Sequence, residues 1–398
     1  MKFLRKKLKN GITVIMEKRE LPVVALSVTN KFGAIFEKSE VKGIAHVIEH
    51  LLFTGTKTRT HEDISRSIEK KGGILNAYTN NEVTSFWFKL PSEHVFAGLE
   101  ILADMLNNPV FNPEKFEKEK KVILEEIKMY HDDPAVFIYD KLESNLYEKP
   151  FGENIIGNTA SVSKLQRDFV KKYFEDNYDP GNYIVTIVGD ADFDKICEFL
   201  EKNFVAKKIK LKASEPKKKN EESVEERPGL DQANFIFGMH APLANESDFY
   251  ALEVLDAYLA NGMSSKLFLE IREKRGLAYS VKSNIQNEKN YSYYCIYVGT
   301  TKDKVDEVKK IIIEEFNKIS DMGENDLAEA KERLIGLRKI TKEESVNVMN
   351  ALVVSELIDK AEDYYQHEEK ISQVKLEDVK KLATKLIKKY SSARIVPK

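Results

Sequence analysis

Strand-like and helix-like patterns of apolar residues alternate along the chain, and the same succession occurs twice. Each half opens with an apolar strand, at Val23–Thr29 and at Ala233–Met239, and continues with an apolar helical segment and a long strand region. Long helices with charged faces follow, and each half closes with a helix and a strand. This mixture predicts an α+β fold in which helices pack on sheets.

The predicted elements are bounded by turn residues or by a change of hydrophobic period. The helices are expected at Gly43–Leu52, Pro113–Met129 and Val162–Phe174 in the first half and at Phe249–Leu259, Lys302–Ile319, Asp326–Leu337 and Ile371–Ala383 in the second. The remaining strands are expected at Phe3–Glu17 (a pair around Asn10–Gly11), Gly73–Leu90, Tyr183–Val188, Ala278–Gly299 and Ala393–Val396.

The closing helices of the two halves resemble one another in sequence. VSKLQRDFVKKYF at Val162–Phe174 resembles ISQVKLEDVKKLA at Ile371–Ala383, and a strand follows each. A repeat at a spacing of about 210 residues indicates duplication of one domain. We therefore expect two homologous domains, each a mixed β-sheet with helices packed on it.

A charged segment separates the two halves. Lys207–Arg227 has 13 charged residues among 21, contains Pro216, and is closed by Pro228–Gly229. Such a composition is typical of a linker, because it offers little apolar area to bury. The sequence thus predicts a first domain over residues 1–206, a linker over 207–227 and a second domain over 228–398.

The overall composition excludes several classes of function. Lys and Arg (63) nearly balance Asp and Glu (65), so nucleic-acid binding is not expected. No apolar stretch is long enough to span a membrane, and the run Ile12–Met16 is too short for a secretory signal. We therefore expect a cytoplasmic protein that does not bind membranes. The two cysteines cannot form a disulfide scaffold or a Cys-rich metal site.

The most informative motif is His46-Val47-Ile48-Glu49-His50. Residues i and i+4 share one face of a helix, so both imidazoles can bind the same metal ion. Glu49 can take a proton from a water at that ion. The flanking residues are apolar, and burying two histidines and a glutamate without a metal would be costly. The motif predicts one zinc ion per chain.

A third protein ligand is expected on the helix Pro113–Met129. Glu119 and Glu126 are seven residues apart and share a face. Periodicity favours Glu126 over Glu125 as the ligand but leaves both open, and it places Glu119 where it can orient a ligand or a water. The apolar residues expected to turn this face inward are Phe116, Val122 and Ile123.

These features resemble the H-x-x-E-H zinc peptidases that include pitrilysin, insulin-degrading enzyme and mitochondrial processing peptidase. The similar segments are GIAHVIEHLLFTGT at Gly43–Thr56, GGILNAYTNNEVTSFWF at Gly72–Phe88, PFGENIIGNTASVSKL at Pro150–Leu165 and NYIVTIVGD at Asn182–Asp190. The family's third ligand is a glutamate about 76 residues after the second histidine, which is the position of Glu126. The resemblance thus implies the ligands His46, His50 and Glu126, with Glu49 and Glu119 as catalytic residues.

The same resemblance implies where the substrate binds. A peptide would add as an antiparallel strand beside Ile74–Thr79, with Asn76, Ala77 and Tyr78 supplying hydrogen bonds and a pocket wall. The residues alone are equally compatible with an ordinary edge strand. Family members also have an Arg and a Tyr seven residues apart that contact the substrate carbonyl, and Arg272 and Tyr279 match that spacing.

The family's larger members carry four such domains, whereas this chain has two, which is half of a clamshell. The resemblance therefore implies a homodimer that encloses a chamber, or a heterodimer with an inactive sibling chain. The expected function is a zinc-dependent endopeptidase that hydrolyses short or unfolded peptides. A dedicated processing peptidase for one precursor, and a non-catalytic scaffold subunit, are the alternatives.

Overall fold

The computed structural model describes residues 2–398, which form two compact units. The strands are β1 (Lys2–Lys7), β2 (Thr13–Lys18), β3 (Val23–Asn30), β4 (Ile74–Thr79), β5 (Thr84–Pro91), β6 (Tyr183–Gly189), β7 (Glu222–Arg227), β8 (Ala233–His240), β9 (Ala278–Asn287), β10 (Ser292–Thr300) and β11 (Ser391–Pro397).

The α-helices lie between these strands, with the longest ones in the middle of each half of the chain. They are α1 (Ile44–Leu52), α2 (His61–Glu69), α3 (Val95–Asn107), α4 (Pro113–Asp132), α5 (Pro134–Leu146), α6 (Thr159–Lys164), α7 (Arg167–Asn177), α8 (Phe193–Asn203), α9 (Asp248–Leu259), α10 (Val305–Asn317), α11 (Glu324–Thr341), α12 (Ser345–Ile358), α13 (His367–Gln373) and α14 (Leu376–Leu386).

Each unit contains one mixed sheet, and the two sheets share one topology. The first has the strand order β1-β2-β6-β3-β5-β4 and the second the order β7-β11-β8-β10-β9. In each, one parallel pair (β2 with β6, β7 with β11) is followed by antiparallel pairs only. The strand β1 is an extra edge that pairs with β2. The predicted α+β fold with two homologous domains is confirmed.

The charged segment that we expected to be a linker ends in a strand. β7 spans Glu222–Arg227 and pairs in parallel with β11, so it occupies the position that β2 has in the first sheet. The preceding residues 207–221 follow an irregular path. The prediction failed here because strand pairing uses backbone groups, and charged side chains are well suited to an exposed sheet edge.

The sequence suggested two domains that are consecutive halves of the chain. The compact units are instead each made of three separate segments. Unit 1 comprises residues 1–128, 154–214 and 341–362, and unit 2 comprises 129–153, 215–340 and 363–398. As a result, α12 from the second half packs on β3 and β6, whereas α5 from the first half packs on β8 and β11. The sequence of an amphipathic helix shows which of its faces is apolar, but it does not show which sheet that face packs against.

The core of unit 1 lies between its sheet and the helices α1 and α3, and that of unit 2 between its sheet and the helices α9, α10 and α14. Fully buried examples are Ile48 on α1 and Leu252 on α9. Within residues 2–398, no helix combines the length and apolar character needed to cross a lipid bilayer.

The placement of α12 can be tested by truncating one of its buried side chains. Leu352 is 0% exposed, so Leu352→Ala is expected to lower the free energy of unfolding by about 2–5 kcal/mol. Val354 on the same helix is 41% exposed, so Val354→Ala should change it by about 0.5 kcal/mol. Chemical denaturation of both variants measures the difference, and equal effects would contradict this packing.

Candidate metal centre

The motif His46–His50 lies on α1, a short helix that is buried on most sides. Its two partly exposed residues are Glu49 and His50, whereas His46 is buried. The helix starts after Gly43, whose φ of +94° is a conformation that glycine adopts without strain. A Cβ at Gly43 would also lie 2.4 Å from the carbonyl oxygen of Ile156, so the start of α1 packs directly against another backbone segment.

Helix α4 carries Glu119 and Glu126, the two glutamates that contact the histidines of α1. Asn112 caps its start, because Oδ1 accepts hydrogen bonds from the N–H groups of Glu114 and Lys115 at 2.9 and 3.1 Å. Pro113 at the first helical position fits this cap, since it lacks an N–H that would otherwise be unpaired. The fixed start determines which residues of α4 face α1.

The inward face of α4 differs in one residue from the expected set. Phe116 and Ile123 are buried as predicted, but Val122 is 45% exposed and does not belong to this face. Glu126 lies on the inner side and is half-buried, whereas Glu125 is exposed and pairs with Lys128 at 2.7 Å. Of the two glutamates that periodicity left open, Glu126 is the one turned toward α1.

Three ligand-type atoms converge at this place. Glu126 Oε2 lies 3.8 Å from His46 Nε2 and 3.6 Å from His50 Nε2. Tetrahedral zinc ligands at about 2.0–2.1 Å from the ion are about 3.3 Å apart, so only a small contraction separates this cluster from zinc geometry. Among residues 2–398, this is the one group of three His, Cys, Asp or Glu residues with ligand atoms within 4.8 Å of one another.

Hydrogen bonds around the cluster also fit a metal site. His50 Nδ1 lies 3.3 Å from Glu119 Oε2. With Nδ1–H donating this hydrogen bond to the carboxylate, the Nε2 lone pair is available. The buried Nδ1 of His46 has no hydrogen-bond partner. A His/His/carboxylate donor set with one ring oriented by an outer carboxylate is typical of zinc enzymes.

The titration behaviour shows that the cluster attracts positive charge. Burial lowers the pKa of His50, but hydrogen bonds with Glu119 and Glu126 outweigh it and raise the pKa to about 9. Burial and the neighbouring His50 charge lower the pKa of His46 to about 4. The hydrogen bond from His50 lowers the pKa of both Glu119 and Glu126. The carboxylates of Glu119 and Glu126 thus favour a positive charge at this place.

Glu49 is held by a residue that the sequence did not reveal. Thr79 Oγ1 donates a hydrogen bond of 2.5 Å to Glu49 Oε2. Burial raises the pKa of Glu49, and the bond from Thr79 opposes this. Thr79 is the last residue of β4, beside a turn in which Asn80 Oδ1 accepts from the N–H of Val83 at 2.7 Å. Its position at the end of the predicted substrate strand, one residue after Tyr78, was the only signal available.

The predicted substrate segment lies at an open sheet edge. β4 is the terminal strand of the first sheet and pairs only with β5 within residues 2–398. Asn76 is exposed, and its Oδ1 accepts a hydrogen bond from the N–H of Ala77 at 2.8 Å. The hydroxyl of Tyr78 donates to Asn350 Oδ1 on α12 at 3.4 Å. A peptide strand can add at such an edge.

The residues Arg272 and Tyr279 belong to unit 2 and are not part of the metal cluster. Arg272 lies on a π-helical turn, Phe268–Glu273, and its guanidinium stacks 4.9 Å above the Phe268 ring. Gly276 follows with a φ of +61°. Tyr279 lies at the start of β9 and is 75% exposed, so its hydroxyl is accessible to a ligand.

Comparison with known protein families gives two adjoining matches. Residues 13–159 match the insulinase domain of peptidase family M16, and residues 164–334 match the M16 inactive domain. A zinc protease of Rickettsia felis is 34% identical over 82% of this chain and 81% of its own length. The zinc protease YmxG of Bacillus subtilis is 30% identical over 98% of this chain and 97% of its own length.

Solved structures show the same fold. A protease from Helicobacter pylori superposes with a TM-score of 0.93 at 22% identity and covers 100% of this chain and 99% of its own. A putative M16-like peptidase from Alicyclobacillus acidocaldarius gives a TM-score of 0.86 at 19% identity, with coverages of 100% and 98%. The resemblance inferred from the sequence is confirmed, and the chain belongs to peptidase family M16, the insulinase family, among relatives named zinc proteases.

Proposed function

We propose that this protein is a zinc-dependent endopeptidase that hydrolyses short or unfolded peptides. The observation that carries the proposal is the convergence of His46 Nε2, His50 Nε2 and Glu126 Oε2, with Glu49 beside them on the same helix. Membership of a family whose relatives are named zinc proteases supports the choice of zinc and of peptide substrates.

One zinc ion per chain would be held by His46, His50 and Glu126. Zinc bound there supplies Lewis-acid chemistry for the hydrolysis of an amide. Glu119 accepts a hydrogen bond from Nδ1–H of His50 and thereby keeps the Nε2 lone pair directed at the ion. The outer carboxylate thus acts through His50 and does not need to touch the substrate.

Glu49 is the proposed general base. Its carboxylate takes a proton from the attacking water and returns it to the leaving amine nitrogen. Because burial raises the pKa of Glu49, the carboxylate is a better proton acceptor than an exposed glutamate. The hydroxyl of Thr79 holds one oxygen of Glu49, Oε2, and so restricts the rotation of the carboxylate.

The substrate would bind as an additional strand along β4, at Asn76, Ala77 and Tyr78. Pairing through backbone groups makes little demand on the substrate sequence but requires an extended chain. This requirement favours short or unfolded peptides over folded proteins. The open edge of β4 supports this mode of binding. Backbone pairing would place a peptide next to this strand, whose last residue, Thr79, donates a hydrogen bond to Glu49.

We further propose a homodimer that encloses a chamber, in which Arg272 and Tyr279 of one copy serve the zinc site of the other. Both side chains can donate hydrogen bonds to the oxygen that becomes negative during attack on a carbonyl. The exposure of Tyr279 and the family spacing of the pair support this role. A heterodimer with an inactive sibling chain is the other assembly compatible with two domains per chain.

The base role of Glu49 predicts a loss of turnover without loss of metal. Glu49→Gln should lower kcat for a quenched fluorescent peptide by about 10²–10⁴-fold, because no group then accepts the proton of the attacking water. Metal analysis of the same sample should still give about one zinc per chain, since Glu49 is not a ligand. A variant that keeps both zinc and full activity would exclude this role.

The choice of third ligand predicts different behaviour for two neighbouring glutamates. Glu126→Gln should weaken zinc binding by about 100-fold or more, since it removes an anionic ligand. Glu125→Gln is the matched control and should leave affinity unchanged, because the Glu125 side chain is 71% exposed and paired with Lys128. Competition with a chromogenic chelator measures both affinities, and equal losses would contradict the assignment.

The dimer proposal predicts complementation between two inactive variants. Glu49→Gln and Arg272→Ala chains, co-expressed with different tags and purified through both, should form dimers with one complete site. Such dimers should have about half of the wild-type activity, because the two sites of a twofold dimer are equivalent. Activity no higher than in the single variants would show that Arg272 does not act on the partner's site.

A further inference from the structure

A buried ion pair lies directly before the helix that carries the motif. Glu37 and Lys42 are both 0% exposed, and Lys42 Nζ lies 3.6 Å from Glu37 Oε2. Neither residue belongs to the metal cluster or to the substrate edge described above. A fully buried charge pair loses its hydration, so its presence calls for a structural reason.

Glu37 binds the first turn of α1 with both carboxylate oxygens. Oε2 accepts a hydrogen bond from the N–H of Gly43 at 3.0 Å, and Oε1 accepts one from the N–H of Ala45 at 2.7 Å. Gly43 occupies the N-cap position and has no side chain to provide this cap. Glu37 therefore supplies the cap from outside the helix, and Ala45 immediately precedes His46.

Lys42 connects this cap to two other segments of unit 1. Its ammonium donates to the carbonyl oxygen of Ala34 at 2.9 Å, and its own carbonyl accepts from Ser161 Oγ at 2.8 Å. The backbone at Gly157 is so close that a Cβ there would lie 2.3 Å from the Lys42 carbonyl oxygen. The start of α1 is thus fixed along its axis and in rotation.

The arrangement is costly as a means of stability alone. Burial raises the pKa of Glu37 to about 7, against the opposing effects of Lys42 and the two N–H groups. Buried ion pairs can often be replaced by apolar residues without loss of stability. What apolar residues cannot reproduce is a bidentate acceptor that sets the rotation of a helix about its axis.

We propose that Glu37 and Lys42 are positioning residues for the metal centre, which hold α1 so that His46 and His50 meet Glu126. This inference rests on the proposed function, because it assigns the pair to the same zinc site. Neither residue touches the metal or the substrate. Their effect is transmitted through the backbone of Gly43 and Ala45 to the two imidazoles.

The test compares Glu37→Gln with a buried carboxylate that caps a different backbone segment. Asp179 is 1% exposed and accepts hydrogen bonds from the N–H groups of Gly181, Lys207 and Ile209 at 3.0, 2.8 and 2.6 Å. Thermal melting, zinc affinity by chelator competition and the visible absorption spectrum of the cobalt-substituted protein are measured for wild type, Glu37→Gln and Asp179→Asn.

Glu37→Gln should weaken zinc binding by about 10–100-fold and alter the cobalt spectrum, as expected when the orientation of a ligand is disturbed. Asp179→Asn should lower the melting temperature with neither change. If Glu37→Gln loses thermal stability but binds zinc like the wild type, the pair is only structural and the inference is wrong. If the wild type itself binds no zinc, the proposed function fails instead.

Glu37→Gln removes the carboxylate that balances the buried charge of Lys42, so this variant can fail to fold. A second variant then tests the proposal. Glu37→Gln combined with Lys42→Met removes both charges and keeps similar side-chain lengths. Restored folding with zinc affinity still reduced about 10–100-fold supports the positioning role. Restored folding with wild-type affinity overturns it.

Discussion

Two imidazoles and two carboxylates placed side by side in a protein require a positive charge between them. His46 and His50 on α1 face Glu126 on α4, and Glu119 takes the outer nitrogen of His50. Hydrogen bonds with Glu119 and Glu126 outweigh burial and raise the pKa of His50, so the two carboxylates favour a positive charge at this place. A divalent cation would supply such a charge, in keeping with relatives that are named zinc proteases.

Because the fold is duplicated, one domain can carry the candidate metal site while the other carries different residues at the corresponding elements. Both sheets have the same sequence of pairings, but the metal cluster is confined to unit 1 among the residues that the structure describes. In unit 2 the helix α9 follows β8 as α1 follows β3, and it carries no histidine. The edge strand β9 instead begins with Ala278 and the exposed Tyr279, one of the two proposed hydrogen-bond donors.

Local periodicity was sufficient to predict which side chains share one face of a helix, but not which residues of different helices meet. The i, i+4 spacing of His46 and His50 and the seven-residue spacing of Glu119 and Glu126 are properties of single helices, and the structure brings these residues together. Contacts between distant segments have no such signature. Thr79 beside Glu49, Glu37 beneath α1 and the packing of α12 on the first sheet depend on how the chain folds back on itself. The roles of Arg272 and Tyr279 remain predictions.

The proposed function requires that one zinc ion binds between α1 and α4. Crystals of the protein grown with zinc and measured on both sides of the zinc absorption edge would locate the ion directly. We expect one anomalous peak per chain, about 2.0–2.2 Å from His46 Nε2, His50 Nε2 and a carboxylate oxygen of Glu126. An ordered cluster without a peak, or a zinc ion bound at other residues, would contradict it.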